Sequence, residues 1–162
     1  MRADPFAEVL PADELPALVA DMRAAGERVV LTNGCFDVVH AGHVQCLAQA
    51  RDLGDRLIVG LNSDESVRAL KGPGRPVNPA GDRARVLAAL SSVDYVSVFG
   101  ELTPQRLIRL VRPDVYVKGG DYGKGVPERD LVAALGGRVE VLDLVPGRST
   151  TGLLERVRAS GG

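Results

Sequence analysis

Histidine is scarce in this chain, with His40 and His43 the only two among 162 residues. A metal centre built mainly on imidazoles is thereby excluded. Zinc would need Cys35 or Asp37 to complete its ligands, and the spacing of the histidines is not the i, i+4 of a helical zinc motif. Cysteine is equally scarce, with only Cys35 and Cys46, which gives neither a disulfide framework nor a C-x-x-C pair. No apolar run approaches the roughly 20 residues of a membrane span. The opening MRADPFAEVLP carries acids and prolines and lacks the continuous apolar stretch of a secretory leader. An excess of one charge is missing too. The net charge of −1 argues against general nucleic-acid binding and requires any anion site to be local. These absences together point to a reducing cytoplasm, with no nucleic-acid and no membrane partner.

What is present is the composition of a globular protein, 45% hydrophobic and 25% charged. The length suits one domain, 1–162. Its first 26 residues read as a helical lead-in, with Leu15, Leu18, Val19 and Met22 on one stripe. Apolar runs at 29–31, 56–62, 93–99, 114–118 and 138–145 read as strands. Helical spacings fall between them, and a final helix is expected over 150–157. Strand alternating with helix predicts a five-stranded parallel sheet covered on both faces. No internal repeat or linker interrupts it.

The chain is organised around RVVLTNGCFDVVHAGHVQCLAQARDL (28–53). Val29, Val30 and Leu31 suit a buried parallel strand, and Thr32-Asn33-Gly34 breaks it. Val44, Leu47 and Ala48 then repeat at helical spacing. Between strand and helix stands His40-Ala41-Gly42-His43, whose imidazoles, three residues apart, fall on one helix face. Backbone N–H groups at a helix start lack partners and favour phosphate. Gly42 carries no side chain to keep a ligand off that backbone. The two rings can donate hydrogen bonds to phosphate oxygens, or carry positive charge if protonated. Taken alone, the tetrad also fits two solvated polar residues; the strand and TNGCFD before it favour a site.

Ligands of open parallel sheets bind beyond the carboxyl ends of the strands, and the polar clusters fall there. TNGCFDVVHAGH follows the first strand, NSD (62–64) the second, KGGDY (118–122) the fourth and GRSTT (147–151) the fifth. Locally, Ser149-Thr150-Thr151 reads first as a helix cap, which is compatible with an anion site. Lys71 and Arg75, in the loop expected over 71–79, read locally as solvated charges. KGGDYGKG is not a Walker A loop, because Lys118 stands where glycine is required, and GPGRPV does not satisfy G-x-G-x-x-G.

TNGCFDVVHAGHV (32–44), LKGPGRPVNP (70–79), Arg83, TPQRLI (103–108), VKGGDY (117–122) and STT (149–151) together cover nearly all of the chain beyond its first 25 residues. In these motifs the chain resembles the D-glycero-β-D-manno-heptose 1-phosphate adenylyltransferases of the cytidylyltransferase-like, HxGH nucleotidyltransferase superfamily. HxGH alone marks the superfamily; the combination is specific. The resemblance implies a Rossmann-like three-layer α/β sandwich. It implies transfer of AMP from ATP, the co-substrate, to the sugar 1-phosphate, with Mg²⁺ travelling on the nucleotide and no protein metal site.

By the same resemblance His40, His43 and Lys71 are catalytic. Thr32, Asn33, Gly34, Cys35, Phe36, Gly42, Lys118, Gly119, Asp121, Ser149, Thr150 and Thr151 serve the nucleotide. Asp37, Arg75 and Arg83 are candidates for the sugar phosphate. Many relatives are fused to a sugar kinase for which 162 residues leave no room, so a separate upstream kinase is expected. A homo-oligomer is compatible with the reading. Arg148 departs from the pattern of Ile or a small residue before STT, and either adds a phosphate contact or points to solvent. Two other classes stay open. One is a cytidylyltransferase for a polyol or amino-alcohol phosphate, although such enzymes typically place Trp where Tyr122 stands. The other is a nucleotide-binding regulatory module without turnover.

Overall fold

A computed structural model describes residues 6–120 and 125–161. The strands are β1 (Glu8–Val9), β2 (Val29–Gly34), β3 (Arg56–Asn62), β4 (Tyr95–Phe99), β5 (Val115–Gly119) and β6 (Arg138–Leu142). Around them lie α1 (Leu15–Ala24), α2 (Ala41–Arg51), α3 (Asp64–Lys71), α4 (Ala80–Ala88), α5 (Gln105–Val111), α6 (Arg129–Ala134) and α7 (Thr150–Ser160). All strand pairs are parallel, in the order β1-β4-β3-β2-β5-β6.

Alternation along the central strand builds the layers. Val29 and Leu31 point to a core face closed by α1 and α5, through Leu15, Val19, Met22, Leu107, Ile108 and Val111. Val30 points to the opposite face, where Leu47 and Ala50 of α2 and Ala84, Leu87 and Ala88 of α4 pack. This is the two-residue period of a strand buried on both sides. Gly60 in β3 is required by that packing, since a Cβ there would come within 2.3 Å of Leu107. The architecture is Rossmann-like, with helices on both faces of a parallel sheet.

The sheet has six strands rather than five. The extra one, β1, pairs Glu8 and Val9 with Tyr95 and Val96, so the lead-in is part strand and only partly helical. Two exposed residues beside Pro11 show no alternation for a sequence reading to detect. Other boundaries moved slightly: α3 runs on to Lys71, β6 stops at Leu142, and α7 continues to Ser160.

After β2 the chain moves outward on one side to β3 and β4, then crosses back to place β5 on the other. The carboxyl ends of β2 and β5 therefore flank a switch point, where open α/β sheets form a crevice. Among the described residues no helix is long and apolar enough to cross a membrane.

Candidate active site

The crevice starts with cross-links between β2 and β5. Thr32 Oγ1 donates to the Val117 carbonyl at 2.9 Å, and the Tyr116 hydroxyl donates to Asn33 Oδ1 at 2.5 Å. Beyond them Phe36 adopts φ 44°, a left-handed conformation. Its ring lies 5.3 Å from that of His43.

His40 is the N-cap of α2, extended at φ −137° and ψ 175°. Its Nδ1 accepts from the Gly42 N–H at 3.1 Å, while His43 Nδ1 accepts from the His40 N–H at 3.3 Å. This is a capping box made of two imidazoles. The rings stack with centroids 3.9 Å apart.

The arrangement fixes the tautomers. Because both Nδ1 atoms accept, each neutral ring carries its proton on Nε2. Burial pushes His43 down to about 4, with His40 adding repulsion. Burial, then the charge of Arg148, lowers His40 as well. Of the two chemistries open from sequence, the free protein therefore favours neutral N–H donors over imidazolium. Gly42 also has a more specific role than clearing backbone for a ligand. A Cβ there would lie 2.9 Å from the His40 ring and 3.0 Å from the Arg148 Cβ.

Asp37 and Arg83 hold the neighbouring loops. Asp37, 2% exposed, accepts from Arg75 Nε at 2.5 Å, the Val77 N–H at 2.8 Å and the Asn78 N–H at 3.0 Å. Burial pushes its carboxyl up, but the Asn78 and Val77 amides and the Arg75 guanidinium outweigh that and leave it below the usual range. Arg83, 1% exposed, donates to the carbonyls of Asn78, Cys35 and Asn62 at 2.9, 2.6 and 2.8 Å, and to Asp64 at 2.7 Å.

A cavity of about 470 Å³ opens over these elements. From the loop after β2 it takes Thr32 through Asp37, His40, Gly42 and His43; from α3 and the following loop, Lys71 and Arg75. Lys118 and Gly119 come from β5, and Ser149, Thr150 and Thr151 from the start of α7. Ser149 caps that helix, accepting from the Gly152 N–H at 3.0 Å. Three of the four polar clusters expected at the rim thus converge. The fourth, NSD, does not line the cavity and serves Arg83 instead. Arg83 is likewise absent from the lining, its guanidinium spent on protein partners. Asp121 and Tyr122 lie outside the described residues.

Sequence reading missed Cys46, Leu47, Asp143, Leu144 and Val145 as lining residues, while Arg148, left open between a phosphate contact and solvent, lines the cavity. Pro146-Gly147 was the available signal that β6 ends early and yields a rim loop. Burial raises both thiols, Cys35 and Cys46, which keeps them protonated. Lys118 sits 5.5 Å over the Tyr116 ring and 3.8 Å from Glu128 Oε2.

The cytidylyltransferase-like family model matches residues 31–153, from β2 into the first turn of α7. The chain belongs to this family. It is 57% identical to the bifunctional protein HldE of Alkalilimnicola ehrlichii over 153 residues, covering 94% of this chain and 32% of that protein. With the HldE of Ectopseudomonas mendocina the identity is 56% over 151 residues, covering 93% and 32%. With that of Pseudomonas aeruginosa it is 54% over 154 residues, covering 94% and 32%. The chain thus spans about a third of the length of these curated relatives. Among solved structures, the lipopolysaccharide core biosynthesis protein of Thermoplasma volcanium GSS1 superposes with a TM-score of 0.60 at 25% identity. That match covers 74% of this chain and 98% of that one.

Proposed function

We propose that this chain transfers AMP from ATP to D-glycero-β-D-manno-heptose 1-phosphate, releasing pyrophosphate. The observation that carries the reading is the stacked His40–His43 pair, whose free ring nitrogens are N–H donors beside the N-terminus of α2. The motifs LKGPGRPVNP and VKGGDY, with an identity above one half to HldE proteins, support heptose and adenine over other members of the family.

In the reaction an oxygen of the sugar phosphate attacks the α-phosphorus of ATP. The bond from that phosphorus to the bridging oxygen of the β-phosphate breaks, and its electron pair leaves with pyrophosphate. The protein's task is alignment and charge neutralisation. His40 and His43 donate from Nε2 to oxygens on the reacting phosphorus. Lys71, on the last turn of α3, brings an ammonium to the phosphates. Arg75, held by Asp37, faces the sugar phosphate. Lys118 and Gly119 line the nucleotide end.

Mg²⁺ shields phosphate charge when it arrives with ATP. Among the described residues, the carboxylates lining the cavity are Asp37, already saturated, and Asp143. That set fits a cation carried by phosphate oxygens rather than a protein cage. The same reading makes 1–162 one nucleotidyltransferase unit in the cytoplasm, supplied with sugar 1-phosphate by a sugar kinase and able to work as a homo-oligomer.

The test is an incubation series of ATP against CTP and heptose 1-phosphate against glycerol phosphate, read by mass spectrometry. An ADP-heptose with pyrophosphate is expected. A CDP-linked product would transfer the assignment to the cytidylyltransferases. ATP binding with no product from any sugar phosphate would mark a regulatory module.

A further inference from the structure

Tyr116 carries a hydroxyl into an apolar core. The residue is 0% exposed and packs in the cluster closed by α1 and α5. Its hydroxyl reaches the Asn33 amide, donating to Oδ1 at 2.5 Å. Leu31 of β2 lies opposite Tyr116 of β5, and side chains alternate along each strand, so Asn33 and Lys118 fall on that same face. Lys118 Nζ stands 5.5 Å over the Tyr116 ring. Gly60 of β3 leaves room beside them, because a Cβ there would come within 3.2 Å of the Asn33 Cβ.

This bond decides which end of the amide is free. An asparagine has an acceptor oxygen at one end and a donor NH₂ at the other. A separation of 2.5 Å suits O–H···O and is too short for an amide N–H···O, so the oxygen faces the phenol and Nδ2 faces away. Asn33 Nδ2 makes no hydrogen bond among the described residues and is not sealed off from solvent. It opens where Asn33 lines the cavity.

We propose that Tyr116 is a positioning residue for the nucleotide: its hydroxyl holds the Asn33 oxygen so that Nδ2 is presented as a donor to an acceptor oxygen of ATP. Tyr116 is too deeply buried to touch a ligand itself. The orientation matches the ligand, since ionised phosphate oxygens accept hydrogen bonds and cannot donate them. Lys118, which can only donate, stands over the same ring. The identity of the ligand rests on the adenylyltransferase reading; the orientation of the amide does not.

The experiment is a double-mutant cycle on the full chain, with ATP titrated by calorimetry. Tyr116→Phe removes the hydroxyl and keeps the ring under Lys118. It is expected to bind ATP about three- to tenfold more weakly than the parent. In an Asn33→Ala background the same change should alter ATP affinity by less than about twofold, because the hydroxyl then has no amide to hold. Asn33→Asp still accepts from the phenol but donates nothing, and should bind ATP about tenfold more weakly or worse. In turnover the KM for ATP should rise in Tyr116→Phe, while that for sugar phosphate stays within about twofold. A Tyr116→Phe protein that melts earlier but binds ATP like the parent would make the hydroxyl a strut between β2 and β5, and overturns the proposal. Fully additive losses in the double variant overturn it too. So does parental ATP affinity in Asn33→Asp, which decides the matter should Tyr116→Phe not fold. If the parent binds ATP but makes no ADP-heptose, the adenylyltransferase reading falls while the cycle still decides Tyr116; if it binds no ATP, both fall.

Discussion

On the β3–α4 side of the cavity every guanidinium nitrogen of Arg83 donates to protein, and both carboxylate oxygens of Asp37 accept, from Arg75 and from the Val77 and Asn78 N–H groups. On the α7 side Arg148 has no such partner among the described residues, and α7 buries none of its residues. The first arrangement is scaffold. Buried polar groups, once fully paired, fix loops in a single geometry. The second leaves its hydrogen-bonding capacity unspent among the described residues, and its shallow packing is characteristic of segments that open easily. A residue of the right type beside a phosphate site is therefore not yet a phosphate ligand; what matters is whether its donors are already used.

Arg83→Ala tests this difference hardest. It strands the carbonyls of Cys35, Asn62 and Asn78 and leaves a void in a buried position, at an expected cost of about 3–5 kcal/mol. Urea unfolding measures it. A variant that unfolds like the parent but loses only sugar-phosphate affinity would return Arg83 to the substrate side and erase the contrast.

His40→Asn comes next. Asparagine is a good N-cap, so α2 should keep its start, while the Nε2 donor is lost. Turnover should fall about 10²–10³-fold, roughly 3–4 kcal/mol of barrier, with the melting temperature nearly unchanged. Lys71→Ala should follow the same pattern with a smaller loss, because its exposed side chain supports no core. Near-parental turnover in a folded His40→Asn would show that the imidazole pair is only a cap.

Much of this could be read in the chain because the signals were local. The periodicity of Val29–Leu31 and Leu57–Leu61, and the cap at Ser63, each follow from a few adjacent residues. The convergence of three loops followed from the rule for parallel sheets. Arg83 was harder, since its partners Cys35, Asn62 and Asn78 come from separate loops, and no spacing reveals that they meet. The same applies to Glu8–Val9, whose partner strand lies 87 positions away. The tautomers of His40 and His43 depended on which backbone N–H groups face them, and that is a property of the folded turn.

Acidification adds a third test. His43 sits at about 4 in the folded chain against an ordinary 6.5. Above pH 6.5 both states are neutral and the group has no effect. As pH falls toward 4 the unfolded chain takes the proton and the folded one does not, so stability drops. After discounting for its partial exposure, about 1–2 kcal/mol is expected over that window. Asp37 does not contribute there, because its folded value lies below 3.8 and its contribution is lost only at more acid pH. His43→Gln, which can still reach the His40 N–H from the same position, should show a shallower fall of melting temperature between pH 7 and pH 5.

The smallest effect should come from Glu128→Gln, at the boundary of the two kinds of polar group. Glu128 is 7% exposed, and its Oε2 has no hydrogen-bond partner while lying 3.8 Å from Lys118 Nζ. Burial pulls the Lys118 ammonium down, and the Glu128 charge pushes it part of the way back. Glutamine keeps the shape and removes the charge. Stability should change little, because glutamine fills the same space and a long ion pair at 3.8 Å does little more than offset the cost of burying the carboxylate. Lys118 should then release its proton at lower pH than in the parent. The nucleotide KM should rise about twofold to fivefold, with the rise beginning at lower pH in the variant. The measurement is the pH profile of that KM beside the profile for sugar phosphate, which should not move. Superimposable nucleotide profiles would place Lys118 with Arg83, as a residue whose charge serves the fold.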